Sequence, residues 1–140
     1  MPPEATEKPR YTLVITGAPY TSQAPATALA FCRALLDSGH GCDRLFLYGD
    51  GVYLASILNT PPSDETNWTS EWQALLRQHS IPATACIASC LRRGLLDNQE
   101  AARYEKPASN LSDGFSIAGL GEWVEAQSSS DRVVYFHGGT

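Results

Sequence analysis

The sequence predicts an α/β fold, a single domain built on a mainly parallel β-sheet. A chain of 140 residues fits one domain and can bury a core without disulfide bonds. Hydrophobic residues make up 43% of the chain and charged residues 18%, a composition typical of globular proteins. Runs of strand type alternate with segments of helical periodicity, and this alternation predicts parallel strands joined by helices.

The first elements follow a start that is rich in proline. We expect residues 1–10 to be a flexible tail and residues 11–140 to be the folded domain. Residues 11–16 form a run rich in β-branched side chains and predict the first, central strand. The helix that follows places Cys32 on its apolar face and stops at Gly39.

The next elements continue the alternation. Residues 44–48 predict a second, buried strand, so that strand, helix and strand together predict a right-handed parallel crossover. A short helical piece is expected at residues 52–58, and Thr66 or Asn67 can cap the helix after it. That helix carries apolar residues that we expect in the core or at an interface: Trp68, Trp72, Leu75 and Leu76.

The second half of the chain carries a junction of particular interest. Residues 83–85 predict a short third strand, a helix that ends at Gly94 follows it, and Cys86 lies between the two. Three more elements are expected further on: a short helix capped by Asp97 and ending at Arg103, a helix at 121–126 and a final strand at 132–136.

Charge and hydropathy exclude two classes of partner. The net charge is -5 and the pI is near 5.0, whereas a protein that binds nucleic acid directly needs clustered Lys and Arg. The one basic pair is Arg92 and Arg93. No apolar run approaches the roughly 20 residues of a membrane span, and the start does not resemble a signal peptide. We therefore expect a soluble, cytoplasmic protein that binds neither nucleic acid directly nor a membrane.

The four cysteines are candidates for either disulfide bonds or reactive thiols. Cys32, Cys42, Cys86 and Cys90 are better explained as reduced cytosolic thiols than as a disulfide framework, because the domain is too large to need staples. Free cysteines often serve as small buried apolar residues, so the question is which thiol is exposed.

Functional residues of parallel α/β sheets gather beyond the carboxyl ends of the strands. Three loops qualify, at residues 17–22, at 49–52 and at the Cys86 junction. Tyr20 and Asp50 could orient a proton there or could simply form turns, and Gly51 could line the same site.

Cys86 is the best candidate nucleophile. A thiol at a helix N-terminus faces unpaired backbone N–H groups and the positive end of the helix dipole, and both favour the thiolate. The donors would be the amides of Ile87, Ala88 and Ser89, which could also stabilise the terminal sulfur of a persulfide. The alternative is a buried cysteine at the end of a strand.

Other chemistries find weaker support. Cys90 lies one helical turn after Cys86, so it could act as a resolving thiol or pack behind the helix. A zinc site would need both cysteines and one histidine to converge, and we predict no metal. Gly119-Leu120-Gly121 resembles part of a nucleotide-binding turn, but Val124 stands where the third glycine belongs. We therefore predict no cofactor.

Five segments taken together resemble the DsrE/TusD family of sulfurtransferase subunits. They are TGAPYTSQAP, FLYGDGVYLA, ACIASCLRRGLLD, SNLSDGFSIAGLGEWVEA and DRVVYF, and the likeness runs from about Tyr11 to Phe136. In that family the active cysteine directly follows a strand and precedes a segment ending in Arg-Arg-Gly, which is the position of Cys86. The chain departs from the family pattern at Cys90, where relatives tend to have a small residue.

The resemblance implies a fold, an activity and partners. The fold is a single three-layer α/β/α domain with a mainly parallel, roughly five-stranded sheet. The activity is sulfurtransfer through a persulfide on Cys86, in tRNA wobble-uridine 2-thiolation or in dissimilatory sulfur oxidation. The partners are DsrF/TusC-like and DsrH/TusB-like subunits in a heterohexamer, a TusA-like sulfur donor and a DsrC/TusE-like acceptor.

Three hypotheses follow from the sequence. Cys86 carries a persulfide, or the chain is a scaffold subunit of the hexamer with an idle thiol, or Cys86 and Cys90 form a thiol redox pair. Intact mass after treatment with a sulfane donor or a mild oxidant separates them.

Overall fold

A parallel β-sheet of five strands forms the centre of the computed structural model, which describes residues 8–138. The strands are β1 (Arg10–Ile15), β2 (Gly41–Leu47), β3 (Ala83–Cys86), β4 (Phe115–Ala118) and β5 (Arg132–Phe136). Their order across the sheet is β4-β3-β2-β1-β5, and every neighbouring pair is parallel. The predicted α/β class is confirmed. Most of the predicted tail lies outside the described residues, and its last residue, Arg10, already belongs to β1.

Six helical segments connect the strands within the described residues. They are α1 (Ala24–Asp37), a 3₁₀ helix (Gly49–Ala55), α2 (Trp68–Gln78), α3 (Ile87–Arg92), α4 (Asn98–Arg103) and α5 (Leu120–Ser129). Asn67 caps α2 by accepting a hydrogen bond from the Ser70 amide, and Asp97 caps α4 in the same way. The helical piece expected at 52–58 begins and ends three residues earlier, as the 3₁₀ helix.

The order of the strands places the helices on two unequal faces of the sheet. The chain steps in one direction from β1 through β2 and β3 to β4, and then returns across the whole sheet to β5. Right-handed crossovers that advance in one direction lie on one face, and a crossover in the reverse direction lies on the other. Helix α5 makes that return. One face is therefore covered by several helices and the other by α5.

The main core lies on the face covered by α1 and α2. Leu13, Leu45 and Ala83 occupy one level of neighbouring strands, and all are at most 2% exposed. Trp72 of α2 is completely buried in this core, and its indole N–H donates to the Pro25 carbonyl of α1 at 3.0 Å. Burying a tryptophan together with its polar atom fixes the two helices against each other.

A second, smaller cluster lies on the opposite face. Val14, Phe46 and Cys86 form its buried centre. The side chains alternate along each strand, so these residues point away from the main core. Trp123 of α5 packs against this cluster and is only partly buried. The three-layer arrangement is thus complete, but its second helical layer is thin.

Candidate functional site

Cys86 lies at the carboxyl edge of the sheet, where β3 passes into α3. It is the last residue of β3, pairs with Ala118 of β4, and is the N-cap residue of α3. The residue is only 3% exposed, whereas its successors Ile87 and Ala88 are half-buried. The sulfur therefore lies just beneath the surface, at the edge where ligands of parallel α/β sheets bind.

The surroundings of Cys86 are apolar and aromatic. Val14 and Phe46 share its cluster, and the rings of Phe46 and Trp123 stack with centroids 4.6 Å apart and planes 17° apart. Tyr135 meets the same tryptophan edge to face at 6.3 Å. Stacked and edge-to-face rings attract each other beyond their burial. Trp123 therefore connects α5 to the cysteine cluster.

The amides expected to hold the sulfur are not hydrogen-bonded to it in this structure. Cys86 caps α3 without a side-chain hydrogen bond, and α3 is a short helix of 6 residues. Ser89 is 3% exposed and its hydroxyl accepts a hydrogen bond from the Gly49 amide at 3.0 Å. Ile87, Ala88 and Ser89 thus follow Cys86 in the sequence, but their amides donate no hydrogen bond to its sulfur.

The loop after β2 is fastened to α3. Besides the Gly49 to Ser89 hydrogen bond, the Arg93 guanidinium donates to the Asp50 carboxylate at 2.9 Å. Arg93 also donates to the Ser89 carbonyl at 3.1 Å. The structure therefore gives Asp50 a structural partner, and this contact joins two of the three predicted loops. Arg92, the other member of the basic pair, is exposed.

Gly51 is required by a close approach of two backbones. A Cβ atom at this position would lie 2.0 Å from the Ile15 carbonyl oxygen. The Tyr48 amide donates to the same oxygen at 3.0 Å. The glycine thus lets the start of the 3₁₀ helix lie directly against the end of β1.

Tyr20 is directed towards α2. Its hydroxyl donates to the Thr66 carbonyl at 2.8 Å and accepts from the Trp68 amide at 3.3 Å. Its backbone has a positive φ of 75°, a conformation that non-glycine residues seldom adopt. Tyr20 therefore tethers the loop after β1 to the N-terminus of α2.

Cys90 and Cys86 face different clusters. Cys90 is completely buried in the main core, while Cys86 belongs to the second cluster. Burial raises the pKa of the Cys90 thiol to about 12, and the nearby charge of Cys86 contributes to this rise. A thiol with such a pKa is almost entirely protonated at neutral pH and is a poor nucleophile.

The other two cysteines form a pair inside the main core. The interaction between the two neighbouring thiols raises the pKa of Cys42 and lowers that of Cys32, and the Cys42 thiol donates to the Arg44 carbonyl at 3.8 Å. Both residues are at most 7% exposed. The predicted apolar position of Cys32 on α1 is confirmed, and both residues pack as small core side chains.

An open cavity of about 220 Å³ adjoins the Cys86 cluster. Val14 and Phe46, which pack with Cys86, also line this cavity. Its remaining lining residues are Thr16, Tyr48, Leu120, Trp123 and Tyr135. The lining of the cavity is therefore largely aromatic.

Neither a metal cluster nor a spanning segment is found in residues 8–138. That part of the chain brings together no group of three or more His, Cys, Asp and Glu side chains suited to a metal ion. Its helices include none that combines the length and the apolarity needed to cross a bilayer.

Two residues of the cysteine environment were not predicted from the sequence. Phe46 was assigned only to a buried strand, and Trp123 only to a helix. Strand alternation could have placed Phe46 and Val14 on one face, because they are register partners in the β1–β2 pair. Trp123 carries no such local signal, since its contact depends on the return of α5 across the sheet.

Comparison with known proteins accounts for nearly the whole chain. Residues 10–136 match the model of the DsrE/DsrF-like family. Proteins named Sulfurtransferase TusD from Salmonella dublin and Salmonella typhi are 44% identical to the chain over 127 residues, covering 91% of it and 99% of each relative. The crystal structure of the ychN protein from E. coli superposes with a TM-score of 0.71 at 25% identity, covering 93% of this chain and 99% of that one. The chain therefore belongs to the DsrE/DsrF-like family.

Proposed function

We propose that this chain is a sulfurtransferase that carries sulfane sulfur as a persulfide on Cys86 and passes it to a partner protein. The observation that carries the proposal is the high identity, over nearly the full length, to relatives named Sulfurtransferase TusD. Cys86 ends a strand and precedes Arg-Arg-Gly, and the family resemblance implies that the active cysteine has this position. The TusD name supports tRNA wobble-uridine 2-thiolation over sulfur oxidation as the pathway.

The chemistry consists of two exchanges that need no oxidant. The Cys86 thiolate attacks the terminal sulfur of a donor persulfide, forming the Cys86 S–S bond while the donor S–S bond breaks and the donor leaves as a thiolate. A thiolate of the acceptor then attacks the terminal sulfur on Cys86, and Cys86 leaves in turn. The adjoining cavity of about 220 Å³ offers space beside the cluster for the extra sulfur and for an incoming side chain.

The partners implied by the family fit this chemistry. A TusA-like protein would donate the sulfur, a DsrC/TusE-like protein would accept it, and two related subunits would complete a heterohexamer. A cytoplasmic location suits the relay, because the cytosol keeps free thiols reduced.

A scaffold subunit with an idle thiol is the second candidate, and the burial of Cys86 at 3% exposure favours it. Incubation with a sulfane donor followed by intact-mass measurement separates the two. Persulfide transfer predicts the gain of one sulfur atom, its loss in Cys86→Ser, and its retention in the matched control Cys90→Ala. A protein that folds and assembles with its related subunits but gains no sulfur, alone or in the complex, is a scaffold.

A further inference from the structure

The burial of Cys86 is at odds with a relay in which two proteins must reach its sulfur in turn. Only 3% of the residue is exposed, although it lies at the edge of the sheet. Some part of the structure must therefore move aside during transfer. The structure identifies which part is least firmly attached.

Among the α5 side chains that the structure describes, Trp123 is the one that packs against the cysteine cluster, and Gln127 donates a hydrogen bond to the Tyr135 hydroxyl at 3.1 Å. Trp123 is half-buried against Phe46, whereas the other α5 residues whose burial is described are exposed. Leu120 and Val124 are 57% and 60% exposed. One ion pair, Arg44 to Glu122 at 3.7 Å, adds little because the Glu122 side chain is 52% exposed.

The beginning of α5 is built to bend. Gly119 and Gly121 flank Leu120, and a Cβ atom on either glycine would meet nothing within 4 Å. Neither glycine has a positive φ. Close packing and left-handed backbone are therefore both excluded as reasons for glycine here. Gly119 is the N-cap residue of α5, a position that favours glycine, and both glycines widen the range of backbone conformations open to this end of the helix.

The end of α5 is tied down. Ser130 donates to the Asp43 carboxylate at 2.8 Å, and its hydroxyl lies 2.6 Å from that of Thr12. Asp131 exchanges two hydrogen bonds with the backbone of Arg10, at 2.8 and 3.0 Å. A motion of α5 will therefore pivot at this end and displace the end beside Cys86, where Gly119 directly follows Ala118.

We propose that α5 is a movable cover over Cys86: the flexible segment at Gly119 and Gly121 lets the N-terminal end of the helix move away from the sheet, and the Trp123 side chain holds that end closed. The inference rests on the proposed sulfur transfer and adds its control of access. In the closed state the cover shields a persulfide on Cys86 from small thiols such as glutathione, which would otherwise remove the terminal sulfur as glutathione persulfide. A partner protein that displaces the Trp123 side chain opens the site.

The test measures the alkylation rate of Cys86 in the full-length reduced protein, with iodoacetamide and peptide mass spectrometry. Labelling that requires opening proceeds in proportion to the open population. Trp123→Ala removes the stacked pair and should accelerate labelling roughly three- to tenfold. Trp123→Phe should label at a rate between those of the wild type and Trp123→Ala. The double variant Gly119→Ala and Gly121→Ala should slow labelling, because alanine restricts the backbone conformations of this segment and its methyl group meets no atom within 4 Å.

Val124→Ser is the matched control, because Val124 is exposed on the same helix, and it should label at the wild-type rate. Thermal unfolding of each variant checks that the fold is retained. Equal alkylation rates of Cys86 in the wild type, Trp123→Ala and the double-glycine variant would refute the proposal that α5 covers Cys86. The alkylation rate does not depend on sulfur loading. If the variants label as expected while Cys86 takes up no sulfur, the proposed transfer is refuted and the proposal that α5 covers Cys86 is supported.

Discussion

Cys86 and Cys90 differ in chemistry because the sheet separates their side chains. They are four residues apart, yet one faces the α5 side and the other is buried in the main core. The raised pKa of Cys90, about 12, follows first from that burial. A redox pair would need both sulfurs to meet and at least one to ionise at neutral pH. Cys90 lies in a different cluster from Cys86 and is almost entirely protonated at neutral pH, and both features disfavour such a pair.

Gly51 offers a sharp test of how the predicted site loops are packed. Gly51→Ala places a methyl group against the Ile15 carbonyl, where the nearest atom would be 2.0 Å away. Both groups belong to backbone, so relief requires β1 and the 3₁₀ helix to separate. We expect the free energy of unfolding to fall by about 1–3 kcal/mol or more, measured by urea denaturation.

Gly121→Ala is the control for this prediction, because the added methyl group meets open space. It should leave stability unchanged or raise it slightly, as alanine favours helix over glycine. Equal losses in the two variants would show that glycine content, and not the close approach at Ile15, governs stability.

At the scale of elements, local patterns predicted most of the fold. The first and last strands, α1 with its stop at Gly39, and the caps Asn67 and Asp97 all depend on signals within a few residues. The strand β4 was not predicted, because its 4 residues lie among glycine and serine and show too little alternation. Its pairing with β3 is a tertiary contact that no local pattern encodes.

The candidate site was predictable in position but not in environment. The junction that holds Cys86 follows from a short strand before a helix, and the structure has that junction. The cluster around it includes Phe46 and is packed by Trp123, and both residues come from distant parts of the chain. Tyr20 illustrates the same limit, because its hydroxyl partners Thr66 and Trp68 lie more than 40 residues away.

The pairing of α1 with α2 supplies an element-scale prediction. Trp72→Phe removes the indole N–H that donates to the Pro25 carbonyl of α1. We expect a loss of about 0.5–1.5 kcal/mol in unfolding free energy from the lost hydrogen bond, and a further loss from the smaller ring. Denaturant titrations followed by far-UV circular dichroism measure it.

Trp68→Phe is the matched control on the same helix. Trp68 is only partly buried against the main core, so its replacement should cost less. A larger loss in Trp68→Phe than in Trp72→Phe would contradict the assignment of Trp72 as the residue that joins the two helices.

The whole molecule is asymmetric because of the route that the chain takes. Three successive steps from β1 to β4 place their connecting helices on one face, and the single return leaves the other face to α5. The main core contains most of the buried apolar residues, while the second cluster has three fully buried members. Stability is therefore expected to be distributed unevenly between the two faces.

Native-state hydrogen exchange measures that distribution directly. Amides of α5 should exchange through local opening, at a free energy well below that of global unfolding, because all its side chains of described burial except Trp123 are exposed. Amides of α1, whose Ala28, Leu29 and Cys32 are at most 1% exposed, should exchange only when the whole domain unfolds. Adding denaturant should accelerate exchange in α1 strongly and in α5 weakly, since local opening exposes little surface. Protection in α5 equal to that in α1, with the same denaturant dependence, would mean that the two layers unfold as one unit and that the thin layer has no independent motion.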